Sequence, residues 1–271
     1  MRAFYDNLLR VVVAAMCALA LVGCNDEGGN ENEGGGEQID TTTPRTLGEV
    51  KEYLADDKIS GFSGVCMNED GTGLYGVADE GDIYNISFEG KKLGKLPLNV
   101  EKDFEGVTTD ATNKVVYVCE EREWAIYKLS SEKSEATKVA DIAVENGVEN
   151  KGLEGIAYGK GNLYVANQQY PTTIFTYSIS EGKVTSSVTV DFAKFLSDLC
   201  YDATNDTLWV VDSKQRLLFN ISVEGEVLAT YDVSFVPKPE GVCVDYERGV
   251  MWFACDSTGR LFSAEFNPSN S

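Results

Sequence analysis

The sequence predicts an all-β fold, namely a five-bladed β-propeller with four-stranded blades. The first observation is a short cassette, typified by Phe-Glu-Gly-Val, that returns five times along the chain. Its copies occupy residues 62–65, 104–107, 153–156, 196–199 and 239–242. The third residue of each copy follows the previous one after 42, 49, 43 and 43 residues. Because one propeller blade takes a repeat of this length, the spacing predicts one blade per cassette.

Apolar runs after each cassette supply the second observation. A second run ends in a polar residue at 75–79, 117–120, 164–167, 209–212 and 253–256. Third runs occupy 83–86, 126–129, 174–177, 217–220 and 261–264, and weaker fourth runs occupy 93–98, 137–142, 184–190 and 227–233. Valine, isoleucine and aromatic residues fill the runs, and Gly, Asn, Asp and Ser separate them, as in strands and turns.

The fifth repeat has no fourth run after its third one. Residues 49–55 precede the first cassette at a matching distance, so we predict that they supply the missing strand. Pairing of this N-terminal strand with the last repeat would close the ring and remove open sheet edges. The alternative is a helix, because Leu47, Val50 and Leu54 also fit helical spacing.

Residues 1–23 have the layout of a secretory signal peptide. Arg2 and Arg10 precede an apolar stretch, 11–22, that is too short to span a bilayer. The stretch ends in Leu-Val-Gly-Cys, which resembles the lipobox of bacterial lipoproteins and implies lipidation of Cys24. The alternative is an ordinary signal peptide followed by a chance cysteine.

The segment 24–45 is acidic, rich in Gly and Asn, and almost free of apolar residues, so we expect a flexible tether. The propeller then takes residues 46–271. We expect the protein in the cell envelope, anchored by its lipid to the outer membrane, on the periplasmic face or at the cell surface.

Charge and composition exclude several functions. The chain has 23 basic and 44 acidic residues, a net charge of −21, and no histidine. This balance disfavours nucleic acid and a basic membrane-binding face, which leaves the lipid as the membrane contact. The absence of histidine excludes Ser-His-Asp and Cys-His catalysis and histidine-ligated zinc. Carboxylates, amides, hydroxyls, Arg and Lys remain for chemistry.

The second residue of each cassette is acidic in three of the five copies and a serine in the other two. These residues are Ser63, Glu105, Glu154, Ser197 and Glu240, and Asp198 replaces the glycine of the fourth cassette. If the cassettes begin the innermost strands, three Glu and one Asp converge at the mouth of the central channel. Such carboxylates repel one another, and a bound hard cation is the simplest relief. An oxygen-rich site without histidine predicts calcium.

A second ring of polar residues ends the second runs. It consists of Asp79, Glu120, Asn167, Asp212 and Asp256. These side chains either face the same mouth or cap solvent-exposed turns, and we favour capping.

The sequence resembles the SdiA-regulated family of bacterial propellers, distant relatives of NHL-repeat and gluconolactonase-type propellers. The motifs that carry the resemblance are residues 103–107, 118–122, 152–156 with 164–167, 196–199 with 201–202, and 239–242. The resemblance implies a five-bladed propeller with calcium at its channel. Carried over residue by residue, it implies the ligands Glu105, Glu154, Asp198 and Glu240. Asn167 departs from the pattern, because an acidic residue is expected there.

Three functions fit this pattern, and for all of them we expect a monomer. The first is a non-catalytic calcium-bound propeller that binds a small molecule, glycan or protein at the channel mouth. The second is a calcium-dependent hydrolase of esters, lactones or phosphoesters, with a metal-activated water and Asp79 or Asp212 as base. The third is a glycan-binding or glycan-cleaving propeller that uses paired carboxylates and the loop aromatics Trp124 and Tyr170.

Overall fold

The computed structural model describes residues 40–130 and 132–266, which form five antiparallel blades in a ring. The predicted five-bladed propeller is therefore confirmed. Each cassette begins an innermost strand, and each innermost strand contacts its two neighbours around the central axis. These strands are β3 (Phe62–Met67), β7 (Phe104–Asp110), β11 (Leu153–Gly159), β15 (Leu196–Asp202) and β19 (Pro239–Asp245).

The remaining strands follow outward in chain order. The second strands are β4 (Leu74–Ala78), β8 (Val115–Glu120), β12 (Asn162–Asn167), β16 (Thr207–Asp212) and β20 (Val250–Cys255). The third strands are β5 (Ile83–Ile86), β9 (Ala125–Leu129), β13 (Thr173–Ser178), β17 (Leu217–Ser222) and β21 (Arg260–Glu265). The fourth strands of blades one to four are β6 (Lys92–Lys95), β10 (Ala136–Asp141), β14 (Lys183–Thr189) and β18 (Val227–Asp232). Second strands are buried, and the fourth strands of blades one to three are largely exposed, which explains the weaker apolar signal of the latter.

The N-terminal strand closes the ring as predicted. β2 (Val50–Tyr53) pairs antiparallel with β21 as the outermost strand of blade five, so the helical alternative is wrong. β1 (Arg45–Thr46) was not predicted. It pairs parallel with β18 as a fifth strand of blade four, so the expected boundary between tether and propeller at residue 45 falls within a strand. The predicted signal peptide and Cys24 lie outside the described residues.

The hydrophobic core lies between neighbouring blades, in five clusters that alternate with the sheets. Between blades four and five, Trp209 meets Phe266 edge to face with ring centroids 5.2 Å apart. This packing draws the innermost strands close together. A Cβ atom at Gly155 would lie 2.7 Å from the Cα atom of Asp198, so only glycine fits there. Within the described ranges, no helix is long and apolar enough to cross a membrane.

Candidate functional site

A β-bulge at the start of each innermost strand positions the candidate site. In all five strands the register with the second strand shifts between the first and third residues of the cassette. The residue between them has no Cα partner, and a bulge of this kind re-aims its side chain. The five bulged residues are Ser63, Glu105, Glu154, Ser197 and Glu240. The starts of the innermost strands and the ends of the second strands share one mouth of the channel.

Four buried carboxyl groups gather at this mouth between blades two and three. Ligand oxygens of Asp103, Glu105 and Glu121 all lie within 4.8 Å of one another. Asp103 directly precedes β7, and Glu121 directly follows β8. Glu154 on β11 joins them, because its carboxyl shares a hydrogen bond with that of Glu121. We call these four residues the acidic cluster.

The carboxyl groups of the acidic cluster perturb one another's ionisation. Burial, and after it the charges of Asp79 and Asp103, raise the pKa of Glu105 to about 8. Burial also raises the pKa of Glu154 well above its usual value, and the neighbouring Glu105 and Glu121 add to the shift. In its protonated form Glu154 donates to Glu121. The cluster therefore carries less than its full negative charge near neutral pH.

Little positive charge compensates the acidic cluster. Arg122 is the one cation within 4.0 Å of its oxygens in the described part of the chain, with Nε 2.7 Å from Oδ2 of Asp103. The Arg122 side chain is itself 64% exposed. A solvated guanidinium offsets buried carboxylates only weakly, so the cluster is short of cationic charge.

An amide oxygen without a partner lies beside the cluster. Gln168 follows β12 and is 6% exposed, and its Nε2 donates to Oε1 of Glu154 over 2.7 Å. Its Oε1 has no hydrogen-bond partner. A buried polar atom left unpaired costs free energy, so a bound group that pairs with this oxygen would stabilise the site. The arrangement thus offers one amide oxygen and four carboxylates to a cation.

Asp198 occupies a different place from the acidic cluster. Its side chain lies on the axis, 1% exposed, where the other four cassettes have glycine. Oδ2 accepts the backbone N–H of Val242 over 3.0 Å, Oδ1 accepts that of Leu199 over 2.8 Å, and the N–H of Val65 adds a third bond. One carboxylate thereby links the innermost strands of blades four, five and one. Its part as a calcium ligand stays a prediction.

Glu240 lies at the same mouth as the acidic cluster, on blade five. Its carboxylate pairs with Nζ of Lys238 over 2.9 Å, and the same ammonium group lies 2.5 Å from Asp256. Burial raises the pKa of Glu240 to about 7, although Lys238 opposes the shift. Glu240 is close enough to raise the pKa of Glu154. Its part as a ligand also stays a prediction.

The second predicted ring divides into two groups. Glu120, Asn167 and Asp212 accept or donate hydrogen bonds within the loops that follow their strands, which is the capping interpretation. Asp79 instead accepts from Oγ of Ser63 over 2.7 Å, and Asp256 pairs with Lys238. Asp79 therefore contacts the ring of bulged residues directly, and Asp256 is linked to it through Lys238, which also pairs with Glu240.

Sequence reasoning missed Asp103, Glu121 and Gln168 as members of the site. Asp103 and Glu121 lie one residue outside their strands, and both fall within motifs that carried the family resemblance. Gln168 follows Asn167, the position at which an acidic residue was expected. These residues could have been found by including the polar residues that directly precede a cassette or follow a second run.

Comparison with known proteins agrees with the fold. The sequence model of the SdiA-regulated family matches residues 49–194 and 183–262. The glutaminyl cyclase of Myxococcus xanthus superposes with a TM-score of 0.60 at 15% identity, covering 82% of this chain and 97% of that one.

A luciferin-regenerating enzyme superposes with a TM-score of 0.56 at 12% identity, over 81% and 96% of the two chains. A chain of the nidogen/laminin complex gives 0.53 at 15% identity, over 77% and 81%. At these identities the likeness concerns the fold alone.

Proposed function

Because the chain belongs to the SdiA-regulated family of β-propellers, we propose that it is a lipid-anchored calcium-binding module that binds a ligand at its channel mouth. One observation carries the calcium part of the proposal. Four buried carboxyl groups lie together beside an unpaired amide oxygen of Gln168, and the exposed Arg122 forms the close ion pair that the described residues show for them. A divalent cation would neutralise the carboxylates and satisfy the amide oxygen together.

The donor atoms fit calcium better than other metals. Calcium takes six to eight oxygen ligands at roughly 2.3–2.6 Å, from carboxylates, amides and water. Zinc and copper favour imidazole or thiolate, and the acidic cluster contains neither. We therefore propose Asp103, Glu105, Glu121, Glu154 and Gln168 as the residues that hold the ion. Water or ligand oxygens would complete its coordination.

Calcium titration tests the metal. Isothermal titration calorimetry of EDTA-treated protein should show one calcium site, and calcium should raise the melting temperature. Stabilisation should reach about 2.7 kcal/mol at about one hundred times Kd. Glu105→Gln should abolish both effects, whereas Glu145→Gln, which removes an exposed carboxylate from a loop, should leave them intact. An EDTA-insensitive melting temperature would contradict the proposal.

The lipid anchor is supported by the sequence around Cys24. Fractionation of cells that express the full chain should place the wild type in the membrane fraction. Cys24→Ala should move the protein to the soluble fraction, and mass spectrometry should find diacylglycerol on the wild-type cysteine only. Membrane retention of Cys24→Ala would remove the anchor from the proposal.

Two other functions, hydrolysis and saccharide binding, are the alternatives to ligand binding without catalysis. The Tyr170 side chain is 61% exposed, which suits stacking against a sugar, while Trp124 is half-buried. Chromogenic esters, lactones and phosphoesters should not be turned over by calcium-loaded protein. Turnover that Glu154→Gln removes would assign the hydrolase function instead, and selective retention on a glycan array would assign the saccharide function.

A further inference from the structure

A cavity of about 390 Å³ at the channel mouth is basic, in contrast to the chain as a whole. It lies between blades three, four and five, beside the acidic cluster. Its basic lining residues are Lys151, Lys214, Arg216 and Lys238. Four basic side chains around one cavity are notable in a protein of net charge −21, because solubility alone does not require them there.

Three of these cations form no close ion pair, although Lys151 acts electrostatically on Glu121. Within residues 40–130 and 132–266, no carboxylate lies within 4.0 Å of the charged groups of Lys151, Lys214 or Arg216, whereas Lys238 bridges Glu240 and Asp256. The ammonium groups of Lys151 and Lys214 each lie 5.6 Å from the centroid of the same Phe195 ring. These cation–π contacts hold both ammonium groups at the same part of the cavity wall, where a bound anion could reach them.

The basic cavity adjoins the acidic cluster directly. Gln168 lines the cavity and donates to Glu154, so one side chain belongs to both. Glu240 also lines the cavity and acts electrostatically on Glu154. An anionic group in the cavity would therefore lie beside a cation held by the cluster, and its oxygens would have positive charge on two sides.

A second cavity, of about 420 Å³, continues from the first. The two share Phe195 and Lys214, and the second is lined by Tyr170 and Pro171. This surface is apolar and aromatic, with Tyr170 exposed to solvent. It suits the ring of an organic molecule, because aromatic side chains stack on sugar rings and other flat apolar faces.

We propose that the basic cavity binds the phosphate group of a small phosphorylated ring compound, such as a hexose phosphate, with the ring over Tyr170 and Phe195. Three cations without a close ion pair match the double charge of a phosphate monoester better than the single charge of a carboxylate. The inference names the ligand class for the proposed binding function. It rests on that function only for the neighbouring cation, since the lysines and the calcium ligands are separate residues.

Isothermal titration calorimetry with glucose 6-phosphate, inorganic phosphate and glucose tests the assignment, on both calcium-loaded and EDTA-treated protein. Glucose 6-phosphate should bind more tightly than inorganic phosphate, and glucose should not bind. Lys151→Gln/Lys214→Gln should weaken glucose 6-phosphate at least about tenfold, because charge-assisted contacts are lost. Lys183→Gln, which removes the same charge from the exposed fourth strand of blade three, should change nothing.

Tyr170→Ala separates the two halves of the ligand. It should weaken glucose 6-phosphate and leave inorganic phosphate unchanged. Equal affinities for the two phosphates would overturn the ring assignment. Unchanged binding to the double lysine variant, or no binding of either phosphate to folded wild type, would overturn the phosphate assignment. Phosphate binding without calcium binding would sink the proposed calcium function and support this one, and the reverse result would do the opposite.

Discussion

Asp198 and Glu154 lie on neighbouring innermost strands, both with buried carboxyl groups, and they are stabilised in opposite ways. Asp198 receives N–H groups from three strands, so the protein itself satisfies its oxygens. Burial raises the pKa of Glu154, and the neighbouring charges of Glu105 and Glu121 raise it further, so its ionised form is destabilised. Burial of a carboxyl group alone therefore does not indicate a ligand site. A candidate site is indicated by a buried carboxylate that is surrounded by other carboxylates instead of hydrogen-bond donors.

The axis and the mouth of the channel differ in the same way. The axis holds the blades together through Asp198 and the close-packed glycines, whose contacts are all made within the protein. At the mouth the acidic cluster lies on blades two and three, and the basic cavity adjoins it on blades three to five, where Lys238 forms ion pairs with Glu240 and Asp256. Buried carboxylates without a close counter-ion carry a desolvation cost that a bound cation would offset.

Asp198→Ala gives the largest effect on stability. Removing the carboxylate leaves the N–H groups of Val242 and Leu199 buried without acceptors, each at a cost of about 1–3 kcal/mol. We expect the free energy of unfolding in urea to fall by about 3 kcal/mol or more. Ser197→Ala, one residue earlier, loses only a hydroxyl contact with Ser213 and serves as the control. A loss equal to that control would refute the role of Asp198 as an axial brace.

Glu154→Gln should have the opposite sign in calcium-free protein. The amide removes a carboxyl that its neighbours destabilise, so the free energy of unfolding in EDTA should rise by on the order of 1 kcal/mol. In calcium the same variant should be less stable than wild type, because a ligand is lost. Urea unfolding in both conditions measures the crossover. Destabilisation in EDTA as large as in calcium would show that Glu154 serves the fold, as Asp198 does.

The pH dependence of stability tests whether buried carboxyl groups at the mouth are protonated in the folded protein. Glu105 has its pKa raised to about 8 in the folded state and Glu240 to about 7, from an ordinary value of 4.5. The folded protein therefore holds more protons than the unfolded chain between these values, and stability falls as pH rises. We expect the melting temperature in EDTA to fall from about pH 5 to pH 8, with a flatter slope in calcium or in Glu105→Gln. A slope that neither calcium nor the variant changes would contradict the assignment.

Repetition explains how much of this could be predicted from the sequence. Five cassettes with regular apolar runs predict the blade count and the innermost strands, because each signal recurs. The closing strand was predicted from the missing fourth run of the last repeat and from its distance to the first cassette. β1 has two residues and pairs in parallel, so it is too short to show a periodic pattern in the sequence. Glu105 and Glu154 were predicted at the mouth because their position repeats. Asp103, Glu121 and Gln168 meet them only across strands and blades, a contact that spacing along the chain does not encode.

The role of Asp198 shows the same limit. The sequence shows an aspartate in place of glycine and predicts a carboxylate near the axis. Whether it meets a cation or backbone N–H groups depends on how closely the innermost strands approach, a distance of a few ångströms set by packing between the blades. The sequence therefore predicted where this side chain lies and could not predict what it bonds.

Arg122→Gln is the mildest change and tests the electrostatics of the acidic cluster alone. The Arg122 side chain is largely exposed, so losing its ion pair with Asp103 should change the free energy of unfolding by less than about 1 kcal/mol. Removing a positive charge beside a cation site should nevertheless tighten calcium binding several-fold, by roughly a Coulomb term in a solvated setting. Calorimetry at low and high salt measures it, and the gain should shrink with salt. Weaker calcium binding in Arg122→Gln would mean that the arginine positions Asp103 rather than competing with the ion.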